Sequence, residues 1–256
     1  HLFALSAQLD ACEHSATQLG RISHIGIVMQ AVIDAYMSLG HLAAALLVDG
    51  VFAGFVFVAF LSFVAFSVFE LRLLMLIWQS QNPSRRGEFY ALWLRFYVLM
   101  IVGLLMMNPF SRLFSAFIVL VYSFWVPQIV HNLVRDTPNA LLPRFIVGST
   151  LTRLIVPVYF WLMPTNFLRT APHPKFAALL VLWVCAQAAV LLVQHRRGSR
   201  AGLQLLPSWW LPARYNYSRA LTGHENRECV ICMSEVLDVE SHALTPCGHL
   251  FHRACL

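Results

Sequence analysis

The clearest apolar stretch of the chain lies at Val51–Phe69 and reads VFAGFVFVAFLSFVAFSVF, without a charged residue or a proline. The hydrocarbon core of a bilayer is about 30 Å thick, so a helix that rises 1.5 Å per residue needs roughly 20 apolar residues to cross it. This stretch has that length. It predicts a membrane-spanning helix and places the chain among membrane proteins.

Five further segments are apolar over a similar length, although less purely. Some of the connections between them are only a few residues long, which suits antiparallel neighbours in a bundle. We therefore predict an all-α polytopic membrane bundle of about six spans. The additional spans are expected at Ile25–Val48, Phe89–Met107, Leu113–His131, Phe145–Met163 and Phe176–Gln194.

The composition supports this class. Hydrophobic residues make up 59% of the 256 residues and charged residues 12%, whereas soluble domains carry roughly 25% charged residues. The alternative, buried helices of a large soluble protein, would need a larger polar shell than this chain supplies. The chain starts at His1 rather than at a methionine and stops at Leu256 within a motif, so we expect a piece of a longer protein in which His1–Leu9 ends an earlier span.

The basic residues near the predicted span ends are distributed unequally between the two sides of the membrane. Because cytoplasmic loops carry an excess of Lys and Arg, the richer side is predicted to be cytosolic, together with the C-terminal tail. We read the net charge of +6 as this topology signal rather than as a nucleic-acid surface. One side holds Arg21, Arg85, Arg86, Arg135, Arg144, Arg196, Arg197 and Arg200; the other holds Arg112, Arg169 and Lys175.

Ionisable residues stand inside the predicted spans at Asp34, His41 and Arg153, and Glu70 lies near a predicted span end. Such a group costs at least about 2.5 kcal/mol at membrane depth on insertion scales, so it usually faces a partner or a water-filled cavity. We expect Asp34 to face the bundle interior, on the same helix face as His41, seven residues later. A polar groove or proton path and a structural pair that fixes the bundle are equal alternatives. Pro127 and Pro157 are expected to kink their helices.

The last 28 residues contain four of the six cysteines, as Cys-x-x-Cys, fourteen residues, and then Cys-x-His-x-x-His-x-x-Cys. Thiolates and imidazoles are the ligands that zinc prefers, and a structural zinc is closed by four of them. A cytosolic location disfavours disulfides between these cysteines. The spacing therefore predicts a zinc-binding module with the ligands Cys229, Cys232, Cys247, His249, His252 and Cys255.

This pattern resembles a RING finger with histidine at the fourth and fifth ligand positions. RING fingers bind two Zn²⁺ ions in a cross-brace, so the resemblance implies that Cys247 and His249 are half of a second site whose remaining Cys-x-x-Cys pair is expected beyond Leu256. It also implies that Ile231 contacts a ubiquitin-conjugating enzyme. The complete first site implied by the resemblance consists of Cys229, Cys232, His252 and Cys255.

The geometry of that first site can be stated as an expectation. Cys229 and Cys232 belong to one tight turn, and His252 and Cys255 are three residues apart, so on a turn of helix they share a face. Three sulfur atoms and one imidazole nitrogen should then cluster within roughly 4 Å of one another, the edge of a zinc tetrahedron. Cys247 should lie beside His249 and apart from this cluster.

The resemblance extends upstream of the RING. The segments RISHIGIVMQAVIDAYMSLGHLAAALL, LLMLIWQSQ, LVYSFWVPQIVHNLVRDT and SWWLPARYNYSR resemble the transmembrane ubiquitin ligases of the fungal Dsc complex (Tul type) and the plant FLYING SAUCER ligases. In that family a lumenal domain, which this chain does not include, precedes several spans and a cytosolic C-terminal RING. The resemblance implies a RING-type ubiquitin transferase of the endomembrane system, in the Golgi or an endosome.

Four regions follow from these observations. Residues 1–21 would be the tail of an upstream span and a connector, 22–197 the transmembrane domain, 198–228 a cytosolic linker with the interfacial pair Trp209 and Trp210, and 229–256 the N-terminal part of a RING finger.

The implied partners are a ubiquitin-conjugating enzyme, ubiquitin, membrane-protein substrates and other membrane subunits of a ligase complex. The chain by itself is expected to be inactive, because half of its second zinc site is missing. A transporter or channel with a regulatory zinc tail and a membrane scaffold are the alternatives.

Overall fold

The computed structural model describes residues 1–48, 50, 52–81, 89–106, 114–137, 139–166, 171–201, 217–218, 228–236, 242–245 and 249–255. The chain divides into two compact units, His1–Trp210 and Leu211–Leu256. Most of the predicted linker, including Trp209 and Trp210, lies outside the described residues. Each unit is considered by itself below.

The first unit is helical throughout its described part. Its helices are α1 (Leu2–Glu13), α2 (Ala16–Gly20), α3 (His24–Leu47), α4 (Phe52–Val64), a π-helix (Ala65–Glu70), α5 (Leu71–Gln81), α6 (Phe89–Met106), α7 (Phe114–Val121), α8 (Val126–Arg135), α9 (Pro143–Leu162) and α10 (Pro174–Arg197).

Local signals in the sequence explain where several helices begin and end. The Ser23 hydroxyl accepts a hydrogen bond from the Gly26 N–H and so caps the start of α3. Pro174 stands in the first turn of α10, where a missing N–H costs nothing. The last turn of α10 holds His195, Arg196 and Arg197, whose positive charges favour the negative end of a helix dipole.

Within the described residues, four helices are long and apolar enough to cross a membrane: α3, the continuous helix Phe52–Gln81, α9 and α10. A fifth span results if α7 and α8, which are bent by 44° relative to each other, count as one broken span. The predicted span Phe89–Met107 corresponds to the 18-residue helix α6. The described chain is thus the predicted all-α membrane bundle, followed by a zinc-finger-like unit.

Polar and apolar side chains are distributed in the sense opposite to that of a soluble protein. Phe60, Leu151 and Leu182 are exposed on the outside of the first unit, whereas Gln30 and Gln187 are buried within it. In lipid, no water is available to satisfy polar groups, so they must find partners inside the bundle. This distribution fits a bundle whose outer surface faces acyl chains.

The helix that starts at Phe52 continues past the predicted span end at Phe69 as far as Gln81. Its middle section, Ala65–Glu70, is a π-helix, a rare local widening that is common near functional sites. Glu70 ends this section and is 1% exposed. The sequence suggested that Glu70 lay near a span end, but the structure places it in the interior.

The two prolines behave differently from each other. Pro127 stands in the first turn of α8 and does not kink a continuous span, because α7 and α8 are already separated at Tyr122–Trp125. Pro157 lies inside α9, as predicted, and has no N–H to donate to the carbonyl of Arg153 four residues earlier.

The break at Tyr122–Trp125 leaves backbone groups without helical partners, and α10 supplies substitutes. Gln187 donates from Nε2 to the Tyr122 carbonyl oxygen at 3.0 Å, and its Oε1 accepts the Trp125 N–H at 3.3 Å. Two turns later Gln194 accepts from Asn132 Nδ2 at 2.9 Å. Amide side chains of α10 therefore hold α8 in place.

The second unit contains a two-stranded antiparallel sheet. Strand β1 (His242–Leu244) pairs with β2 (Leu250–His252), with His242 opposite His252 and Leu244 opposite Leu250. A small apolar core lies against this sheet. It contains Cys229, Val236, Leu244 and Leu250, with Phe251 and Cys255 packed against it.

Candidate metal centre and buried charge cluster

The first two predicted zinc ligands stand on a tight turn whose backbone is closed at both ends. The Met233 N–H donates to the Cys229 carbonyl oxygen at 2.7 Å, and the Cys229 N–H donates to the Ser234 carbonyl oxygen at 2.9 Å. Met233 has a φ of 54°, a left-handed conformation that tightens the turn. This closure brings the sulfur atoms of Cys229 and Cys232 onto one side of the loop.

The other two ligands reach the same place from the sheet. His252 is the last residue of β2, and Cys255 follows in a turn in which its N–H donates to the His252 carbonyl oxygen at 2.9 Å. The Val230 N–H donates to the Leu250 carbonyl oxygen at 3.2 Å and ties the first turn to β2. We predicted that His252 and Cys255 share a turn of helix; in the structure a strand end and a turn take this role.

The ligand atoms of Cys229, Cys232, His252 and Cys255 all lie within 4.8 Å of one another. Cys232 Sγ is 3.3 Å from His252 Nδ1. Three thiols and one imidazole in this arrangement are the donor set of a closed structural zinc site, whose tetrahedron has edges of about 4 Å. The cluster therefore fits Zn²⁺.

Hydrogen bonds and burial shift the pKa values of these four ligands in different directions. Backbone N–H groups, first that of Cys232 and then those of His252 and Ile231, lower the pKa of the Cys229 thiol to about 5. The backbone of Ser234 lowers the pKa of Cys232, whereas desolvation raises the pKa of Cys255 to about 11. Hydrogen bonds to the Cys229 and Cys232 sulfurs raise the pKa of His252. The first turn thus favours thiolates before any ion binds.

The remaining predicted residues of the tail are only partly described. Cys247 lies outside the described residues, so its pairing with His249 stays a prediction. His249 is exposed, and its carbonyl oxygen accepts from the Thr245 N–H at 3.0 Å. Ile231, the predicted contact for a conjugating enzyme, is 57% exposed on the turn between the first two ligands.

The first unit contains a second group of ionisable residues, buried between α3, the π-helix and α9. Arg153 Nη2 donates to Asp34 Oδ2 at 2.8 Å and to Glu70 Oε1 at 2.5 Å, and Nη1 donates to Gln30 Oε1 at 3.2 Å. The Phe124 ring lies 5.4 Å from the guanidinium carbon. Asp34 therefore faces the interior, as predicted, and its partner is Arg153.

His41 does not take part in this cluster. Its Nδ1 lies 2.6 Å from the Met37 carbonyl oxygen, and its ring packs near Phe55. Asp34 and His41 do not contact each other, because two turns of helix separate them by about 10.5 Å along the axis. Sequence reasoning singled out Asp34 and Arg153 separately but missed Glu70 as their partner; a carboxylate close to an apolar run was the available signal.

Comparison with known proteins gives these two sites a context. Residues 1–206 match the family model described as Transmembrane E3 ligase/DUF2921 transmembrane domain. The chain belongs to this transmembrane E3 ligase family. Residues 228–256 match a model described as a RING-like zinc finger, which covers all six predicted zinc ligands. The family resemblance inferred from the sequence is confirmed.

Relatives of the transmembrane E3 ligase family agree with this placement. Transmembrane E3 ubiquitin-protein ligase FLY1 and its relative FLY2, both of Arabidopsis thaliana, are 40% identical to the chain over 95% of its length and 46% of their own. DSC E3 ubiquitin ligase complex subunit 1 of Schizosaccharomyces pombe is 25% identical over 95% of the chain and 48% of its own length. The chain thus spans about half the length of these relatives. No solved structure matches it significantly.

Proposed function

We propose that the protein is a membrane-embedded RING-type ubiquitin ligase that transfers ubiquitin from a conjugating enzyme to membrane-protein substrates, for degradation or sorting. The observation that carries this proposal is the zinc-type cluster of Cys229, Cys232, His252 and Cys255 in a chain whose first 206 residues belong to the transmembrane E3 ligase family. A zinc-tailed transporter or a scaffold has no comparable support.

The proposed role of zinc is structural. Cys229, Cys232, His252 and Cys255 would hold one ion, which links the first turn to β2 and supplies folding energy to a unit with a very small apolar core. Cys247 and His249 would contribute to the second ion of a cross-brace. In this proposal residues 229–256 belong to the RING, and 198–228 form the linker.

The proposed chemistry requires positioning rather than a covalent intermediate on this chain. Ile231 would dock a ubiquitin-conjugating enzyme, because it presents an apolar side chain at the surface of a turn whose geometry zinc would fix. Holding the ubiquitin thioester in an orientation open to a substrate lysine lowers the entropic part of the barrier. The catalytic cysteine belongs to the conjugating enzyme.

The first unit would select substrates and bind other membrane subunits, with residues 22–197 as the transmembrane domain. Its interior holds the buried cluster around Arg153, and its outer surface is apolar. We place the RING in the cytosol, because the predicted cytosolic side carries eight basic residues near span ends against three on the other. We place the protein in the endomembrane system, in the Golgi or an endosome.

Reconstituted ubiquitin transfer tests the proposal. Full-length protein in nanodiscs, incubated with activating enzyme, a panel of conjugating enzymes, ubiquitin and ATP, should form ubiquitin chains on itself. Cys232→Ser should lose bound zinc, measured by mass spectrometry of the metal, together with transfer. Cys185→Ser, at an exposed position of α10, is the matched control and should keep both. Zinc binding without transfer by any conjugating enzyme would refute the ligase assignment and leave the metal site intact.

A further inference from the structure

His1 extends the buried cluster around Arg153 and gives it a fourth ionisable side chain. Its Nε2 lies 2.8 Å from Asp34 Oδ2, and its Nδ1 lies 3.0 Å from Thr152 Oγ1. The charged or titratable groups around it include Asp34 on α3, Arg153 on α9 and, through Arg153, Glu70 on the π-helix. The α-amino group of His1 and the Tyr122 hydroxyl also lie near these side chains. Four elements of the bundle therefore meet at this point.

The hydrogen bonds of His1 determine how many protons its ring carries. Thr152 has one hydroxyl hydrogen, and its shortest acceptor is the Gly148 carbonyl oxygen at 2.8 Å. When that hydrogen is donated to Gly148, Thr152 Oγ1 accepts a hydrogen from His1 Nδ1. Asp34 Oδ2, which already accepts from Arg153 Nη2, is an acceptor for Nε2 as well. An imidazole that donates from both nitrogens is an imidazolium.

The charge count gives the same answer by a separate route. With both carboxyl groups ionised, Asp34 and Glu70 carry two negative charges, against the one positive charge of Arg153. The three side chains are 8%, 1% and 2% exposed, so an unbalanced charge among them would be strongly unfavourable. One proton on the His1 ring makes these four side chains neutral together.

A metal ion does not satisfy this site as well. The ligand atoms of His1, Asp34 and Glu70 lie within 4.8 Å of one another. Arg153 Nη2, however, already donates to both carboxylates, and a divalent cation would bring two further positive charges against the guanidinium. The His1 side chain is 16% exposed, and the Asp34 side chain is 8% exposed.

We propose that His1 binds a proton as part of a charge-neutral cluster with Asp34, Glu70 and Arg153 inside the membrane, and that loss of this proton loosens the bundle. The consequence reaches the helix break, because Arg153 also lies over the Phe124 ring and its backbone carbonyl accepts from Tyr122. The cluster is thereby a pH-sensitive joint between α1, α3, α9 and the π-helix. This inference is independent of ubiquitin transfer.

Thermal unfolding of the full-length protein in nanodiscs tests the proposal. Deprotonation of His1 leaves one uncompensated negative charge, so stability present at acid pH is lost as pH rises. The wild-type unfolding temperature should fall between about pH 5.5 and about pH 8.5, which bracket the ordinary histidine pKa of about 6.5. A fall on the order of 2–4 °C is expected, the shift that a loss of about 1 kcal/mol causes in a domain of about 150–250 residues, such as the transmembrane domain.

Variants at two positions separate the proposed proton site from other titrating groups. His1→Gln should give a lower unfolding temperature with no fall across this pH range. Glu70→Gln removes one carboxylate, so the cluster is neutral without a proton on His1 and the fall with rising pH should disappear or reverse. His14→Gln, at an exposed histidine just beyond the other end of α1, is the matched control and should keep the wild-type profile.

The double variant keeps the proposal testable if His1→Gln alone is too unstable to purify. Glu70→Gln should raise the stability of the His1→Gln protein, because the two changes together restore neutrality at every pH. Persistence of the wild-type pH profile in His1→Gln would place the proton elsewhere, for example between the two carboxylates, and overturn the proposal. Further destabilisation by Glu70→Gln in the His1→Gln background would also overturn it.

Discussion

Tyr122 donates its phenolic hydrogen to the backbone carbonyl oxygen of Arg153 at 3.1 Å. That carbonyl needs a donor from outside its helix, because Pro157 has no N–H to offer it. A residue at the break between α7 and α8 therefore supplies the hydrogen bond that the interior proline of α9 cannot. Both lie beside the side chain that carries the buried positive charge.

Tyr122→Phe should lower the free energy of unfolding by about 0.5–1.5 kcal/mol, the usual net contribution of one hydrogen bond. In a Pro157→Ala background the loss should be smaller, because the substituted alanine would supply the helical N–H. Denaturant unfolding of the four proteins in this cycle measures the difference. Tyr90→Phe is the control, since Tyr90 is 79% exposed. Equal losses in both backgrounds would show that Tyr122 acts through packing alone.

Zinc affinity should rise with pH above neutrality. At about pH 7 the Cys229 thiol, with a pKa of about 5, is already ionised, whereas Cys255, with a pKa of about 11, keeps its proton until zinc displaces it. Release of that proton makes the apparent affinity increase about tenfold per pH unit, and the increase is steeper where His252, whose pKa is raised, still holds a proton that zinc must displace. Competition against a chelator of known affinity, over a range of about pH 6.5 to pH 8.5, measures this slope.

Cys255→His is the matched variant for that measurement. It keeps four ligands, but the new imidazole has an ordinary pKa of about 6.5 and is already neutral above that pH. The slope of the logarithm of its zinc affinity against pH should therefore be smaller than that of the wild type by about one, because one proton fewer is released on binding. An unchanged slope would mean that a different ligand, rather than Cys255, holds the displaced proton.

Ile231→Ala should slow ubiquitin transfer by about tenfold if its truncation costs about 1.4 kcal/mol of conjugating-enzyme binding, within the range of a typical interface anchor. Its zinc content should be unchanged, because the side chain points outward from the ligand turn. Met233→Ala is the control at an exposed apolar position of the same turn. Loss of zinc from Ile231→Ala, or equal slowing by both variants, would contradict a specific docking role.

The proposed orientation makes a separate prediction about membrane topology. Glycosylation acceptors inserted within residues 169–173 should be modified in the lumen, whereas acceptors within 85–88 should stay unmodified, since the basic side of the bundle is expected in the cytosol. Gel mobility before and after glycosidase treatment distinguishes them. Modification of the 85–88 site alone would invert the topology and place the zinc unit in the lumen.

Sequence patterns predicted the features of this chain that depend on local information. The apolar run from Val51 predicts a membrane span by its length and composition alone. The spacing of the cysteines and histidines likewise predicts a metal site. Neither inference requires knowledge of which helices touch. The positions of Cys229 and Cys232 on one turn likewise follow from their separation of three residues.

The features that sequence did not predict are those decided by distant partners. Glu70 resembles a residue at the end of a span, and only the position of Arg153, 83 residues away, explains its burial. Asp34 and His41 share a helix, but the strongest partner for a buried carboxylate is a guanidinium from another helix. The break at Tyr122–Trp125 contains no glycine and lies before Pro127, so no local residue marks it. Gln187 of α10 stabilises it by hydrogen bonds to its backbone.

The amide of Gln187 also sets a constraint on how the protein is made. The ribosome completes Trp125 before it reaches Gln187, 62 residues later. At synthesis rates of about 5–20 residues per second, that interval lasts roughly 3–12 s. During that time the opened backbone between α7 and α8 lacks its partner and cannot settle stably in hydrocarbon. Release of α7 and α8 into lipid should therefore wait for α10, which makes this part of the membrane domain dependent on late insertion and on any factor that shelters the unfinished chain.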